Sequence, residues 1–357
     1  MSWVGLRDNA TTLYNPAGLG KANPAAVDLN GLLPKGTLLV QCDVKPGTKG
    51  HDFLDYRGES PWITGLSLTL NAQGLLMLTQ TQGAFRRVFT LPTGLGAHSA
   101  SLLVRFSWDA PARAAVFSVE IIETGKIISA VMQAPLPLSL RDAVRISTDP
   151  EQCEMSKQVT FLAIADSLMP HGPLPSLSGQ TQLPTPDGGK PLAQMKAGQL
   201  VTTSDGGTAQ IRWVGQTTLP ARGHFAPQRL RAPYHGATRD LIAAPGQRIH
   251  MSGSEVEYLF ATDAVSVAVG QLREGVQTLE TLTQTYYQLL LDRPTTVTVG
   301  DVALECLDCM PLIKRPDLRR HSVLADLPAE LLPQQPATHA PLLQDYETLT
   351  LCRLRAA

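Results

Sequence analysis

Short apolar runs, bounded by Gly, Pro, Asn and Asp, recur about every 9 to 15 residues through the first half of this chain, and that spacing limits its fold more than any other feature. From Thr37 the runs read TLLVQCDV, GLSLTL, GLLMLTQTQ, RRVFTL, ASLLVRFSW, AAVFSVEII, KIISAVMQ and, after a gap, VTFLAIAD. The intervals are too short for the helical crossovers of βαβ units, so the pattern predicts an antiparallel sandwich or barrel. GLSLTL alternates cleanly and places Leu66, Leu68 and Leu70 on one face. The stretch LPLSLRDAVRISTDPEQCEM breaks the series, with a short helix expected around Leu140 to Val144.

A chain of 357 residues is long enough for about two domains with separate cores. The proline-rich joint MPHGPLP, Met169 to Pro175, interrupts every period, because each proline removes a donor and biases its predecessor toward extended geometry. Beyond it TPDGGKP and TSDGGTAQ carry Asp-Gly-Gly turn signals, and strand-like runs continue to TTVTVGDVALECL, with at most a helical turn at PLAQMKAG. Past Met310, Leu and Arg spacing replaces strand character, broken by the Pro-rich patch PQQPATHAP. The expected organisation is all-β: a surface segment over 1–29, an antiparallel β-sandwich over 30–170, a second β domain over 171–310 and a short helical tail over 311–357.

The 30 basic and 31 acidic side chains leave a formal net charge of -1, which gives no electrostatic footprint for nucleic acid. No run of about 18 apolar residues exists to span a membrane. The N-terminus lacks the basic start and apolar core of a secretory signal. The 5 cysteines, odd in number and scattered, fit a reduced compartment, so cytoplasmic residence is the default expectation, with export lacking an N-terminal signal left open.

In the second unit the string from Ser176 through Thr181, Thr185 and Gly198 to the Asp-Gly-Gly at Asp205 is followed by Arg212-Trp213-Val-Gly215. Two further blocks come in order, Arg239-Asp-Leu-Ile-Ala-Ala-Pro-Gly-Gln-Arg-Ile249 and Thr285-Tyr-Tyr-Gln-Leu-Leu-Leu-Asp-Arg-Pro294. Together they resemble the Hedgehog/intein (Hint) domains of bacteria. That resemblance implies a chemistry in which the first residue of the domain attacks the carbonyl before it, while a Ser/Thr-x-x-His block protonates the leaving nitrogen. Ser176 would then attack the Pro175 carbonyl in an N–O acyl shift. The family's nucleophilic Cys is Ser176 here, its block histidine is Gln247 within Ala244-Pro245-Gly246-Gln247, and its later histidines are Gln288 and Pro294. The expectation is therefore a non-catalytic Hint scaffold or interaction module. The alternative is a self-processing protein using Ser176, with His171, His250 or Arg248 as replacement acid.

Leu103-Val-Arg-Phe-Ser-Trp108-Asp109 and the strand after it are similar to the central strands of laminin-G or concanavalin-like sandwiches. Trp62 and Trp108, with His51, Asp52, Asp55 and Tyr56, would form a sugar platform, so the partner expected is an unidentified protein or a carbohydrate. An ordinary core tryptophan and loop explain the same residues. Cys306-Leu-Asp-Cys309 is a single CxxC with no second pair at zinc spacing, and no metal or other cofactor is expected. Arg222, His224, Arg229, Arg231 and Arg239 read either as an anion site or as a solvated sheet face. Lys314, Arg315, Arg319 and Arg320 sit near an expected helix end, where cations are favoured.

Overall fold

The computed structural model describes residues 2–22, 29–45, 50–59, 62–95, 99–333 and 340–356. Strand exceeds helix, 47% to 15%, so the chain is all-β with antiparallel sheets. It divides into two compact units, Met1–His171 and Gly172–Ala357.

The first unit holds a seven-stranded sheet in the order Lys126–Gln133, Ala114–Ile121, Ala100–Asp109, Lys35–Val44, Val159–Ala165, Trp3–Asp8, Thr12–Tyr14. A five-stranded sheet runs Cys153–Met155, Gly50–Gly58, Thr64–Asn71, Leu75–Gln82, Phe85–Pro92. Leu38 and Val104 from the first sheet share one hydrophobic core with Leu68 and Leu78 from the second. Thr64–Asn71 keeps strict alternation because only one face is covered, and Leu66, Leu68 and Leu70 point inward. Phe106 anchors the core, with ring centroids 5.1 Å from Phe89, 5.9 Å from Phe117 and 6.1 Å from Trp108, each pair contributing about 0.5–1.5 kcal/mol beyond area burial. Gly36 faces Trp108 across the ladder, and a Cβ there would sit 2.4 Å from the indole, so no side chain fits at that position. The helix Leu140–Thr148 is capped by Ser139 Oγ, which accepts the Asp142 N–H at 3.0 Å.

One expectation gives way. Residues 1–29 are not a surface segment throughout, because Trp3–Asp8 forms an inner strand between Val159–Ala165 and Thr12–Tyr14, with Trp3, Val4 and Leu6 buried. Both faces of that strand are covered, so WVGLRD shows no period-2 alternation to read. Residues 23–28 of the segment lie outside the described residues.

In the second unit a seven-stranded sheet runs Leu200–Thr202, Thr208–Pro220, Thr283–Leu291, Leu177–Ser178, Leu241–Ala243, Gln228–Leu230, Val276–Thr278. A four-stranded sheet runs Ala264–Ala268, Arg248–Ser252, Val302–Glu305, Thr296–Val299. The C-terminal stretch contains short helices at Met310–Ile313 and Pro316–Arg319 and a longer one at Asp345–Ala356, and Leu343 and Leu351 join this unit's core. Most of the Pro-rich patch, 334–339, lies outside the described residues. Among the described residues no helix is long and apolar enough to cross a membrane.

Candidate functional site

The strand Leu177–Ser178 is only two residues long, yet it pairs on both sides: Leu177 lies opposite Ala243 in one neighbour and opposite Tyr287 in the other. Ser176 enters this strand with its carbonyl accepting the Ala244 N–H at 2.7 Å. The turn Ala244 to Gln247 closes with the Gln247 N–H donating to the Ala244 carbonyl at 3.0 Å, which carries Gln247 back beside Ser176. Gln288 follows Tyr287 in its strand and so comes level with Ser176. Three positions spread over more than a hundred residues therefore meet at one point.

Ser176 Oγ donates to Gln247 Oε1 at 2.6 Å and receives Gln288 Nε2 at 3.3 Å, while Gln288 Nε2 also reaches Gln247 Oε1 at 3.2 Å. Gln247 Nε2 donates to the carbonyls of Arg248 at 2.7 Å and Glu305 at 3.0 Å, so both of its hydrogens are occupied. Gln247 and Gln288 are 2% and 4% exposed, so water does not compete for these bonds. A carboxamide neither takes up nor releases a proton near neutral pH, so this cluster orients the Ser176 hydroxyl without ionising it.

Gly246 keeps the turn narrow. A Cβ at that position would lie 2.8 Å from Cε1 and Nε2 of His224, so the imidazole rests directly on the backbone beside Gln247. Of the basic group singled out with His224, Arg229 is paired with Asp240 at 2.5 Å, and Arg222 donates to the carbonyls of Ala221 at 2.9 Å and Thr281 at 2.7 Å. Of the five only Arg229 lies on a strand, Gln228–Leu230.

The replacement acids have other partners. His171, the last residue of the first unit, is buried with Nδ1 2.6 Å from Ser118 Oγ and Nε2 3.0 Å from Ser107 Oγ. His250 Nε2 binds Glu305 Oε1 at 2.9 Å, and the Arg248 guanidinium lies 3.8 Å from the same carboxylate. Ser266 Oγ adds a bond of 2.6 Å to Glu305 Oε1. Glu305 and Ser266 carry no motif, and the signal the sequence offers is a carboxylate inside the apolar run VALECL.

Burial of Glu305 alone would raise its pKa, but the hydrogen bonds from His250 and Ser266 and the Arg248 charge outweigh it, and the carboxyl titrates below its ordinary 4.5. A depressed carboxyl contributes stability that is fully present above the ordinary value and is lost as pH falls through the folded one. Thermal unfolding of the second unit, followed from about pH 7 to about pH 3, should therefore lose midpoint below pH 4.5 more steeply in the wild type than in Glu305→Gln. Equal acid slopes in the two proteins would contradict this.

The aromatic platform is not assembled. Trp62 is 47% exposed, whereas Trp108 is 2% exposed and donates its indole N–H to the Leu33 carbonyl at 3.0 Å, so its faces serve the core. His51 is buried against Phe53 with Nδ1 2.7 Å from Gln158 Oε1, and the Tyr56 hydroxyl donates to buried Asp142 at 2.5 Å. Asp55 pairs with Arg57 at 2.8 Å, and Asp52 is exposed. All five cysteines are free thiols. Burial and the Glu305 charge push Cys306 up to about 12, and burial and Asp308 push Cys309 up to about 11. Both thiols are therefore protonated at neutral pH, and among the described residues no group of three or more His, Cys, Asp or Glu is placed to hold a metal.

A protein-family model described as the Hint domain matches residues 175–309. Among solved structures the chain is similar to the MchDnaB-1 intein, at 16% identity over 36% of this chain and 98% of that one, with a TM-score of 0.26. The gp41-1 intein matches at 12% identity, 36% and 97% coverage and a TM-score of 0.26. The Ruminococcus gnavus IT-sialidase CBM40 bound to alpha2,3 sialyllactose matches at 13% identity, 47% and 89% coverage and a TM-score of 0.29. A search of curated proteins finds no match.

Proposed function

Residues 175–309 are a Hint domain, and from that premise we propose that this one is non-catalytic, retained as a scaffold or interaction module with the Pro175–Ser176 bond left intact. The observation that carries the reading is the Ser176 hydroxyl donating at 2.6 Å to a carboxamide whose own hydrogens are fixed on two main-chain carbonyls. General acid–base help supplies about 10²–10⁴-fold in rate, and neither glutamine provides it. A serine hydroxyl without a base is a poor nucleophile at neutral pH. In this reading the sandwich over 30–170 is the neighbour that the Hint domain carries, and their partner is a protein or a carbohydrate.

Intact mass after overnight incubation of the full chain tests it, with and without hydroxylamine or dithiothreitol, beside Ser176→Ala. One unchanged mass in every tube is the expected result. Two fragments meeting at Pro175–Ser176, absent from Ser176→Ala, would establish the rival self-processing activity, with Ser176 as its nucleophile.

A further inference from the structure

A cavity of about 210 Å³ opens in the second unit, walled by Leu290, Leu307, His250, Glu305, Cys306 and Cys309. It shares with the Ser176 cluster only the residue Glu305, whose carbonyl holds Gln247 while its side chain faces His250. His250 and Pro294 on its wall also belong to the reading of the Pro175–Ser176 joint, but the inference does not depend on whether that bond is ever cut.

Size comes first. An apolar cavity of about 150 Å³ accommodates benzene, so about 210 Å³ has room for one aromatic ring with a short substituent. The charged groups on the walls, Arg293, Glu305 and Asp308, have partners of their own. Both thiols are protonated at neutral pH, and Arg293, also on the wall, is held by Asp205 at 3.1 Å. Asp308, the remaining acid, accepts the Met310 N–H at 2.9 Å. A neutral guest is favoured over an ion.

One polar handle is left over. Glu305 is an ionised acceptor, so His250 Nε2 carries a proton toward it, and His250 Nδ1 makes no hydrogen bond among the described residues. A hydroxyl on the guest serves Nδ1 whether that nitrogen is bare or protonated, because O–H both donates and accepts. A carbonyl, which only accepts, would serve the protonated state alone. We propose that this cavity is a binding site for a small neutral phenol, with its ring against Leu290 and Leu307 and its hydroxyl on His250 Nδ1.

The wall thiols give a direct readout. The full chain is treated with N-ethylmaleimide in the presence of 4-ethylphenol or of ethylbenzene, which lacks only the hydroxyl, and modification of each cysteine is followed by peptide mass spectrometry. The expected result is that 4-ethylphenol slows labelling of Cys306 and Cys309 but not of Cys352, a half-buried thiol outside the cavity. Ethylbenzene should require roughly tenfold higher concentration for the same protection, the factor one hydrogen bond is worth. His250→Phe should erase the difference between the two compounds. No protection by 4-ethylphenol would overturn the proposal, and so would equal protection by both compounds, which would mark a plain apolar void. Should His250→Phe fail to fold, the comparison of the two compounds on the wild type decides alone.

Discussion

Ser176→Cys combined with Gln247→His is expected to turn an inert joint into one that dithiothreitol or hydroxylamine cleaves, at a rate about 10²–10⁴-fold above Ser176→Cys alone. The thiol supplies a nucleophile that is a few per cent ionised near neutral pH, where a hydroxyl is not. Its sulfur would bond to the Pro175 carbonyl carbon as the amide C–N bond breaks, and the Ser176 nitrogen must take a proton as it leaves. An imidazole at position 247 sits where Gln247 Oε1 now accepts the Ser176 hydroxyl at 2.6 Å, so it is within reach of the attacking atom. Gln247→His alone should do little, because the hydroxyl remains a weak nucleophile. A time course of intact mass for the wild type, the two single variants and the double variant checks the ordering. If the double variant folds and still shows a single mass, loss of the histidine is not what silenced the site, and the explanation would shift to Gln288 and Pro294.

The second large effect belongs to the first unit. Arg105 is almost wholly buried on the strand Ala100–Asp109, and its guanidinium meets Glu120 at 2.5 Å. Burial lowers the Arg105 pKa, and Glu120 opposes that shift by charge and hydrogen bond. Taking the carboxylate away removes the charge that opposes burial of the cation, so Glu120→Ala should destabilise the unit by about 3–5 kcal/mol. Removing both charges, as Arg105→Met with Glu120→Leu, should cost much less, because the desolvation penalty goes with them. Hydrogen exchange over peptides from Ala100–Asp109 and Ala114–Ile121 reads this directly. Equal loss of protection in the single and double variants would show that the packing of the strands, and not the stranded charge, sets the cost.

How much of this was legible before the fold was known depends on the range of each contact. The strand Thr64–Asn71 announced its inward leucines because one of its faces meets solvent. In Ala100–Asp109 residues 102–108 are all buried, so period 2 vanishes, and the sequence favours the core for Trp108 while leaving a ligand platform open. Ser176, Gln247 and Gln288 were singled out together because ordered blocks at fixed spacing resembled the Hint pattern. No local signal joins residues that lie 71 and 112 apart. The grouping of His250, Ser266 and Glu305 was not legible at all, since it needs the register that sets Arg248–Ser252 between Ala264–Ala268 and Val302–Glu305. A glutamate in VALECL hinted at a buried partner without naming it.

The two-residue strand Leu177–Ser178 has a consequence for connectivity. It lies inside its sheet, hydrogen-bonded on both sides, although the chain arrives there directly from the proline-rich joint. Among the described residues the backbone upstream of Ser176 contributes no strand to that sheet. A break at the joint would therefore turn an interior segment into a chain terminus without removing a single rung of the ladder, and the new end would be threaded through the middle of the sheet and not hung from its margin. For this unit, being attached to a neighbour and being detached from it are the same topology.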